Sequence, residues 1–167
     1  MKRQLVFSFI AVIIFLFLMR WQGRELITPV SPNGIVDLEF AKTPLRFIYL
    51  SLFMKTGAIL QNLYLDFLFM ASYVWFFIAA LQYCNSQTGW LKISGIFIGI
   101  SWAAGVLDFL ENLMLILIIN EHLAVRFIRL VYYLALCKFI FAGLVILFLL
   151  ASLPFLLRRK QATMLFC

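Results

Sequence analysis

Long apolar runs separated by short polar connections dominate the chain. The runs cover about residues 5–21, 63–82, 91–119 and 125–153. A helix needs about 20 mainly apolar residues to cross a hydrocarbon core of ~30 Å, and three of the four runs reach or exceed that length. The pattern therefore predicts an all-α, polytopic membrane protein with four transmembrane helices in a bundle, forming a single membrane domain over residues 1–167.

The first run has two interpretations. It follows a basic start, Met1-Lys2-Arg3, which is also typical of a secretory signal peptide. A cleavage site of small residues does not follow, because the next residues are Arg20, Trp21 and Gln22. An uncleaved first span with Trp21 at the membrane interface is the favoured interpretation.

The segment of residues 22–62 differs from the rest, since it holds three of the four prolines. Ser31-Pro32-Asn33-Gly34 predicts a turn. Thr43 followed by Pro44 is typical of an N-cap and first helical position, and Gly57 is the predicted end of that helix. The apolar residues behind Pro44 fall on one stripe of the helix, at Leu45, Ile48, Tyr49, Leu52 and Phe53. This pattern predicts an amphipathic interfacial helix between spans 1 and 2, and a lid over a site between the spans remains the alternative.

Composition supports the membrane assignment and excludes a nucleic-acid partner. Apolar residues make up 65% of the chain and charged residues 13%, about half the charged share of a soluble domain. The net charge of +7 gathers at the chain ends and in connections, at Lys2, Arg3 and residues 158–160 for example, and not as a basic stripe. Basic residues at both ends favour two cytoplasmic termini in a cell (inner) membrane, with residues 22–62 extracytoplasmic.

Ionisable residues inside the predicted spans are the strongest functional signal, because a charge in hydrocarbon is costly and usually faces a bundle interior or a water-filled cavity. Asp108, Glu111 and Asn112 follow the i, i+3, i+4 spacing and share one face of the third span. Arg126 and Arg129 lie near the start of the fourth span. Lys138 projects from a different side of that helix than Arg129. The predicted binding residues are Asp66, Asp108, Glu111, Asn112, Arg129 and Lys138, and the catalytic residues are unknown.

Depth along the spans predicts one specific contact. At 1.5 Å per residue, Asp108 lies roughly 18 Å and Lys138 roughly 20 Å from the same side of the membrane. We therefore predict an Asp108–Lys138 ion pair. Asp66 lies about 6 Å from that side, close to the predicted start of the second span.

Known chemical motifs add no specific activity. The sequence has no phosphate-binding loop, nucleophile elbow or HExxH pattern, and His122 is its single histidine. Two acids and an asparagine provide oxygen ligands for a hard cation, but the neighbouring Lys138 argues against a pure metal cage. We therefore predict no metal and no cofactor.

Four strings carry a resemblance: residues 36–40, 65–69, 104–112 and Lys138-Phe139. The Leu-Asp-x-x-Glu-Asn part of the third string is the most specific. The chain resembles a group of small bacterial four-span membrane proteins of unassigned function, which implies a fold and a polar centre but no activity. It is similar in architecture alone to the superfamily of sterol isomerases and the sigma-2 receptor, which are four-helix membrane proteins with buried carboxylates.

Three function classes follow from these observations. The favoured hypothesis is a protein that binds or moves a small amphiphile or lipid at an intramembrane polar cluster. The second is a structural or assembly subunit of a membrane complex, in which the charges pair across helices. The third is a small integral-membrane enzyme with Asp108 or Glu111 as general acid or base. The bilayer is the expected environment, and a homo-oligomer or a membrane partner remains open.

Overall fold

The computed structural model describes the backbone of residues 1–164 and the side chains of residues 1–155. The basic side chains at 158–160, predicted to mark the membrane boundary, lie outside that range. The described part contains six α-helices and no β-strand, with short 3₁₀ turns at Gly23–Leu26 and Val125–Phe127. The helices are α1 (Lys2–Gln22), α2 (Ile35–Glu39), α3 (Pro44–Leu52), α4 (Thr56–Thr88), α5 (Leu91–Ile119) and α6 (Ile128–Met164).

Four of these helices are long and apolar enough to cross a membrane: α1, α4, α5 and α6. The prediction of an all-α membrane protein with four spanning helices packed together is confirmed. The third span has the predicted bounds, Leu91–Ile119.

Three boundaries differ clearly from the sequence prediction. The second span begins at Thr56 and not near residue 63, because Ala58 and Ile59 are buried beneath the connecting segment and extend the helix. Gly57 therefore lies inside α4, and the preceding helix α3 already ends at Leu52. The second span ends at Thr88 and not near residue 82. The fourth span continues through Pro154 in place of ending there.

Helix α4 is the centre of the bundle, because α1, α5 and α6 all pack against it. Helix α1 packs mainly on α4, and Ser8 is its one fully buried residue. At its C-terminal end α1 is fastened to α4 by a side chain: Gln22 Nε2 donates to Ala58 O at 2.8 Å, and Asn62 Nδ2 donates back to Gln22 Oε1.

Residues 27–55, called the cap below, fold over the end of the bundle where α4 begins. The predicted turn is present: Gly34 N donates to Ser31 O at 3.1 Å, and Gly34 has a φ of 64°, which favours glycine. Thr43 caps α3 as predicted, since its hydroxyl accepts from Arg46 N at 3.3 Å. The cap contributes apolar side chains to a shared core with α4, α5 and α6, including Leu38, Phe47, Leu50, Ile59, Leu115 and Val131.

Candidate functional site

Three charged residues reach the same level of the bundle from three different helices. Because α4 begins at Thr56, Asp66 lies about 15 Å below that end of its helix. Asp108 lies about 16 Å from the end of α5 at Ile119, and Lys138 about 15 Å from the start of α6 at Ile128. The predicted shallow position of Asp66 was wrong, and the early start of α4 is the reason.

Lys138 is the centre of the site. Its Nζ donates to Asp108 Oδ1 at 2.8 Å, so the predicted Asp108–Lys138 pair is confirmed. The same Nζ lies 2.8 Å from Glu111 Oε2 and 3.5 Å from Glu39 Oε2. All four side chains are buried, so one ammonium group is shared by three carboxyl groups.

Two further donors complete the arrangement. Tyr73 Oη donates to Asp108 Oδ2 at 2.9 Å, and Asn112 Nδ2 donates to Asp66 Oδ2 at 2.7 Å. Asn112 Nδ2 also lies 3.4 Å from Asp108 Oδ1. We call the following residues the polar cluster: Glu39, Asp66, Tyr73, Asp108, Glu111, Asn112 and Lys138.

The polar cluster has more acceptors than donors. It contains four carboxyl groups and, among the described side chains, one cationic group. The lysine, the tyrosine hydroxyl and the asparagine amide already point at carboxylate oxygens. In contrast, Glu111 Oε1 and Asn112 Oδ1 accept no hydrogen bond from any described residue, and Glu39 Oε2 has an ion-pair contact with Lys138 Nζ at 3.5 Å but no hydrogen bond. What remains free in the cluster is therefore an ability to accept hydrogen bonds.

The two acids of α2 have opposite environments. Burial raises the pKa of Glu39 above its usual value, although the charge of Lys138 acts in the other direction. Asp37 is only slightly buried, which tends to raise its pKa, but hydrogen bonds from Asn33 and Ser31 outweigh this and lower it. Asp37 thus stabilises the turn before α2, and Glu39 enters the polar cluster.

A cavity of about 440 Å³ lies against the polar cluster. Its apolar walls come from Val12 and Met19 of α1 and from Phe139, Ala142 and Ile146 of α6. Five members of the polar cluster line it: Glu39, Asp66, Tyr73, Asp108 and Lys138.

A second cavity of about 490 Å³ lies next to the first, and Phe76, Phe77 and Ile146 line both. It extends toward the opposite end of the bundle, to Tyr83 and Leu153, and its surface is almost wholly apolar. We call the two cavities together the groove, with a polar end at the first and an apolar end at the second.

The structure separates the predicted site residues into three groups. Asp66, Asp108 and Lys138 line the groove. Glu111 and Asn112 belong to the polar cluster but line neither cavity, and both are fully buried. Arg129 is exposed and nine positions from Lys138, on the opposite side of α6, so the two do not share a site.

Glu39 and Tyr73 were not predicted from the sequence. Tyr73 follows Asp66 by seven positions, which places both on the same face of α4, so helical spacing would have indicated it. Glu39 stands between Leu38 and Phe40 in a five-residue helix outside the spans, and no local pattern marks it as a partner of Lys138.

Among the side chains of residues 1–155, no group of three or more His, Cys, Asp or Glu has an arrangement that could hold a metal ion. Fold and site together define the class: a four-helix membrane protein with a charged cluster at one end of an apolar groove. No family model, no curated protein and no solved structure matches this chain. The resemblance to small bacterial four-span proteins therefore stays a prediction.

Proposed function

We propose that this protein binds or moves a small amphiphile or lipid, with the ligand's head at the polar end of the groove and its tail at the apolar end. The observation that carries the proposal is the division of one groove into two ends of opposite character. Ligand pockets are mostly apolar with a few convergent polar groups, and both cavities fall in the usual range of ~300–1,000 Å³. An amphiphile likewise has a polar head at one end and an apolar tail at the other.

The position of the groove supports entry from the bilayer. Its sides are α1 and α6, and its floor is α4. Because α1 packs mainly on α4, the space between α1 and α6 opens sideways toward the surrounding lipid. A ligand with a long tail reaches the groove from the membrane without leaving hydrocarbon.

The cellular setting is also part of the proposal. Lys2, Arg3 and the basic residues at 158–160 support two cytoplasmic termini in a cell inner membrane, with the cap and the polar cluster toward the outer face. The cap itself carries Lys42, Arg46 and Lys55, which favour the opposite orientation. Protease protection of tags at either terminus distinguishes the two orientations.

The test is native mass spectrometry of the protein purified in a mild detergent, comparing wild type with Asp108→Asn. Asp37→Asn is the matched control, because this acid of α2 accepts hydrogen bonds from Asn33 in the preceding turn and lies outside the polar cluster. We expect a defined ligand on the wild type and on the control, with about tenfold less on Asp108→Asn, since a hydrogen bond to a charged group is worth ~1.5–3 kcal/mol. Equal retention by folded Asp108→Asn would contradict the proposal.

A structural or assembly role is the second candidate, and a separate observation favours it. Lys138 joins three elements, because its ammonium contacts α2 through Glu39 and α5 through Asp108 and Glu111. Such an arrangement fixes the register of the cap on the bundle. In that case the Asp108→Asn variant loses stability and the purified wild type carries no ligand.

A further inference from the structure

The length of the groove limits what it can hold. On α6 the lining runs from Lys138 to Leu153, about 22 Å along the helix, and on α4 from Asp66 to Cys84, about 27 Å. One leaflet of the hydrocarbon core is about half of ~30 Å. A tail that fills the groove from the polar end is therefore longer than one leaflet is deep.

The shape of the groove favours one tail over two. Its cavities lie one after the other along the helices and meet where Phe76, Phe77 and Ile146 line both. The ring of Phe9 on α1 lies 5.6 Å from that of Phe76, so aromatic rings border the junction. Two tails of one phospholipid would need cavities side by side.

The chemistry of the polar end selects the head. Each donor of the polar cluster is already directed at a carboxylate oxygen. Glu39 Oε2, which is buried at the wall of the first cavity, lies 3.5 Å from Lys138 Nζ but accepts no hydrogen bond among the described residues. The four carboxyl groups outnumber the single ammonium group, and those that are ionised repel a phosphate strongly at low dielectric constant. A head that donates hydrogen bonds, above all a protonated amine, complements the site.

We infer that the ligand is a single-chain amphiphile with a hydrogen-bond-donating head and a tail longer than one leaflet, and that Ala80 limits the length of the tail. The inference rests on the proposed function and specifies its ligand. Ala80 lines the apolar end but not the polar end, about 21 Å along α4 from Asp66. A larger side chain at Ala80 shortens the groove and leaves the polar cluster unchanged.

The experiment measures binding of named probes by native mass spectrometry of the purified full chain. The probes are straight-chain primary amines and primary alcohols from decyl to eicosyl, and phosphatidylglycerol as a two-tailed anionic lipid. We expect the wild type to prefer the longer members, with amines above alcohols, and to bind phosphatidylglycerol about tenfold more weakly. One charge-assisted hydrogen bond accounts for a difference of that order.

Variants at Ala80 test the length limit. Ala80→Phe should shift the preference to shorter members of both series, and Ala80→Leu should shift it less. Ala71→Phe is the matched control, because Ala71 is exposed on the same helix and lines neither cavity. The control should keep the wild-type preference.

Each contrary outcome overturns a different statement. Wild type that binds no amine, alcohol or phospholipid contradicts the proposed function itself. Wild type that binds the probes but shares its length preference with both Ala80 variants contradicts the length limit alone. Binding of phosphatidylglycerol as strong as that of the amines contradicts the single-chain, donor-headed ligand.

Discussion

At the residue scale, the unusual feature is a single buried lysine among several buried acids. A buried ion pair repays its desolvation cost only with good geometry and further hydrogen bonds. Lys138 meets that condition, with Asp108 and Glu111 oxygens both at 2.8 Å. The charges of Asp108 and Lys138 therefore do not form an isolated pair, as spacing alone predicted, but part of a shared network.

Because of this network, Lys138 and Asp108 should contribute unequally to the free energy of unfolding. Lys138→Met should lower the free energy of unfolding by ~3–5 kcal/mol, because it leaves three buried carboxyl groups without their cation. Asp108→Asn should cost less, about 1–3 kcal/mol, because Lys138 keeps Glu111 and Glu39. Thermal or chemical unfolding in detergent measures both.

The double variant Asp108→Asn, Lys138→Met should recover only part of the loss, because Glu111 remains without a partner. Adding Glu111→Gln should recover more. An Asp108→Asn variant as unstable as Lys138→Met would show that Glu111 and Glu39 do not share the ammonium.

Five site residues within the spans were predicted from the sequence, whereas Tyr73 in α4 and Glu39 in the cap were not. Asp66, Asp108, Glu111, Asn112 and Lys138 are polar side chains within apolar runs, and the cost of placing them in hydrocarbon applies whatever the fold. Local sequence criteria predict that Glu39 is exposed. Only the position of α2 over the bundle brings this residue to the polar cluster.

At the element scale, small residues allow α5 to pack closely against its neighbours. Ser94, Ser101, Ala104 and Gly105 are all buried, and small residues permit close helix contact in lipid. At Gly105 a Cβ atom would lie 2.7 Å from Val74 Cγ2, closer than van der Waals contact allows. Any residue with a Cβ atom at this position therefore requires Val74 to move.

We therefore expect Gly105→Ala to lower the free energy of unfolding by about 1–3 kcal/mol through overpacking. Gly99→Ala on the same helix is the control, since a Cβ atom at Gly99 would have no other group within 4 Å. The control should be neutral or slightly stabilising, because alanine favours helix more than glycine does. Val74→Ala should remove most of the cost of Gly105→Ala. A harmless Gly105→Ala would mean that the crossing is looser than described.

At the scale of the whole molecule, the cap and the bundle share one core and present one continuous apolar exterior. The predicted stripe of α3 faces outward: Leu45 is 82% and Leu52 76% exposed, whereas Phe47 and Leu50 point inward. Exposed apolar side chains at the level where the spans end are typical of a helix lying in the membrane interface. The interfacial and lid interpretations of this segment are compatible, because α3 faces outward while α2 brings Glu39 to the polar cluster.

This arrangement predicts the depth of Leu45. With the four native tryptophans replaced by phenylalanine, Leu45→Trp should fluoresce as a residue in lipid and be quenched by acyl-brominated phospholipids in reconstituted vesicles. Pro32→Trp, in the exposed turn before α2, is the control and should be quenched clearly less. Equal quenching at the two positions would place α3 outside the bilayer interface.

The order of amino acids was enough to predict the number of spanning helices and the bounds of the third. It also predicted the turn before α2, the N-cap of α3 and most of the polar cluster. Each of these depends on local physics: the length of an apolar run against the thickness of hydrocarbon, the spacing of residues on one helix, and the cost of a buried charge. The depth of Asp66, the exclusion of Arg129, the entry of Glu39 and the existence of the groove emerged only from the folded chain. These features depend on which helices pack together and on where the cap folds back, and contacts between distant segments leave no periodic signal in a single sequence.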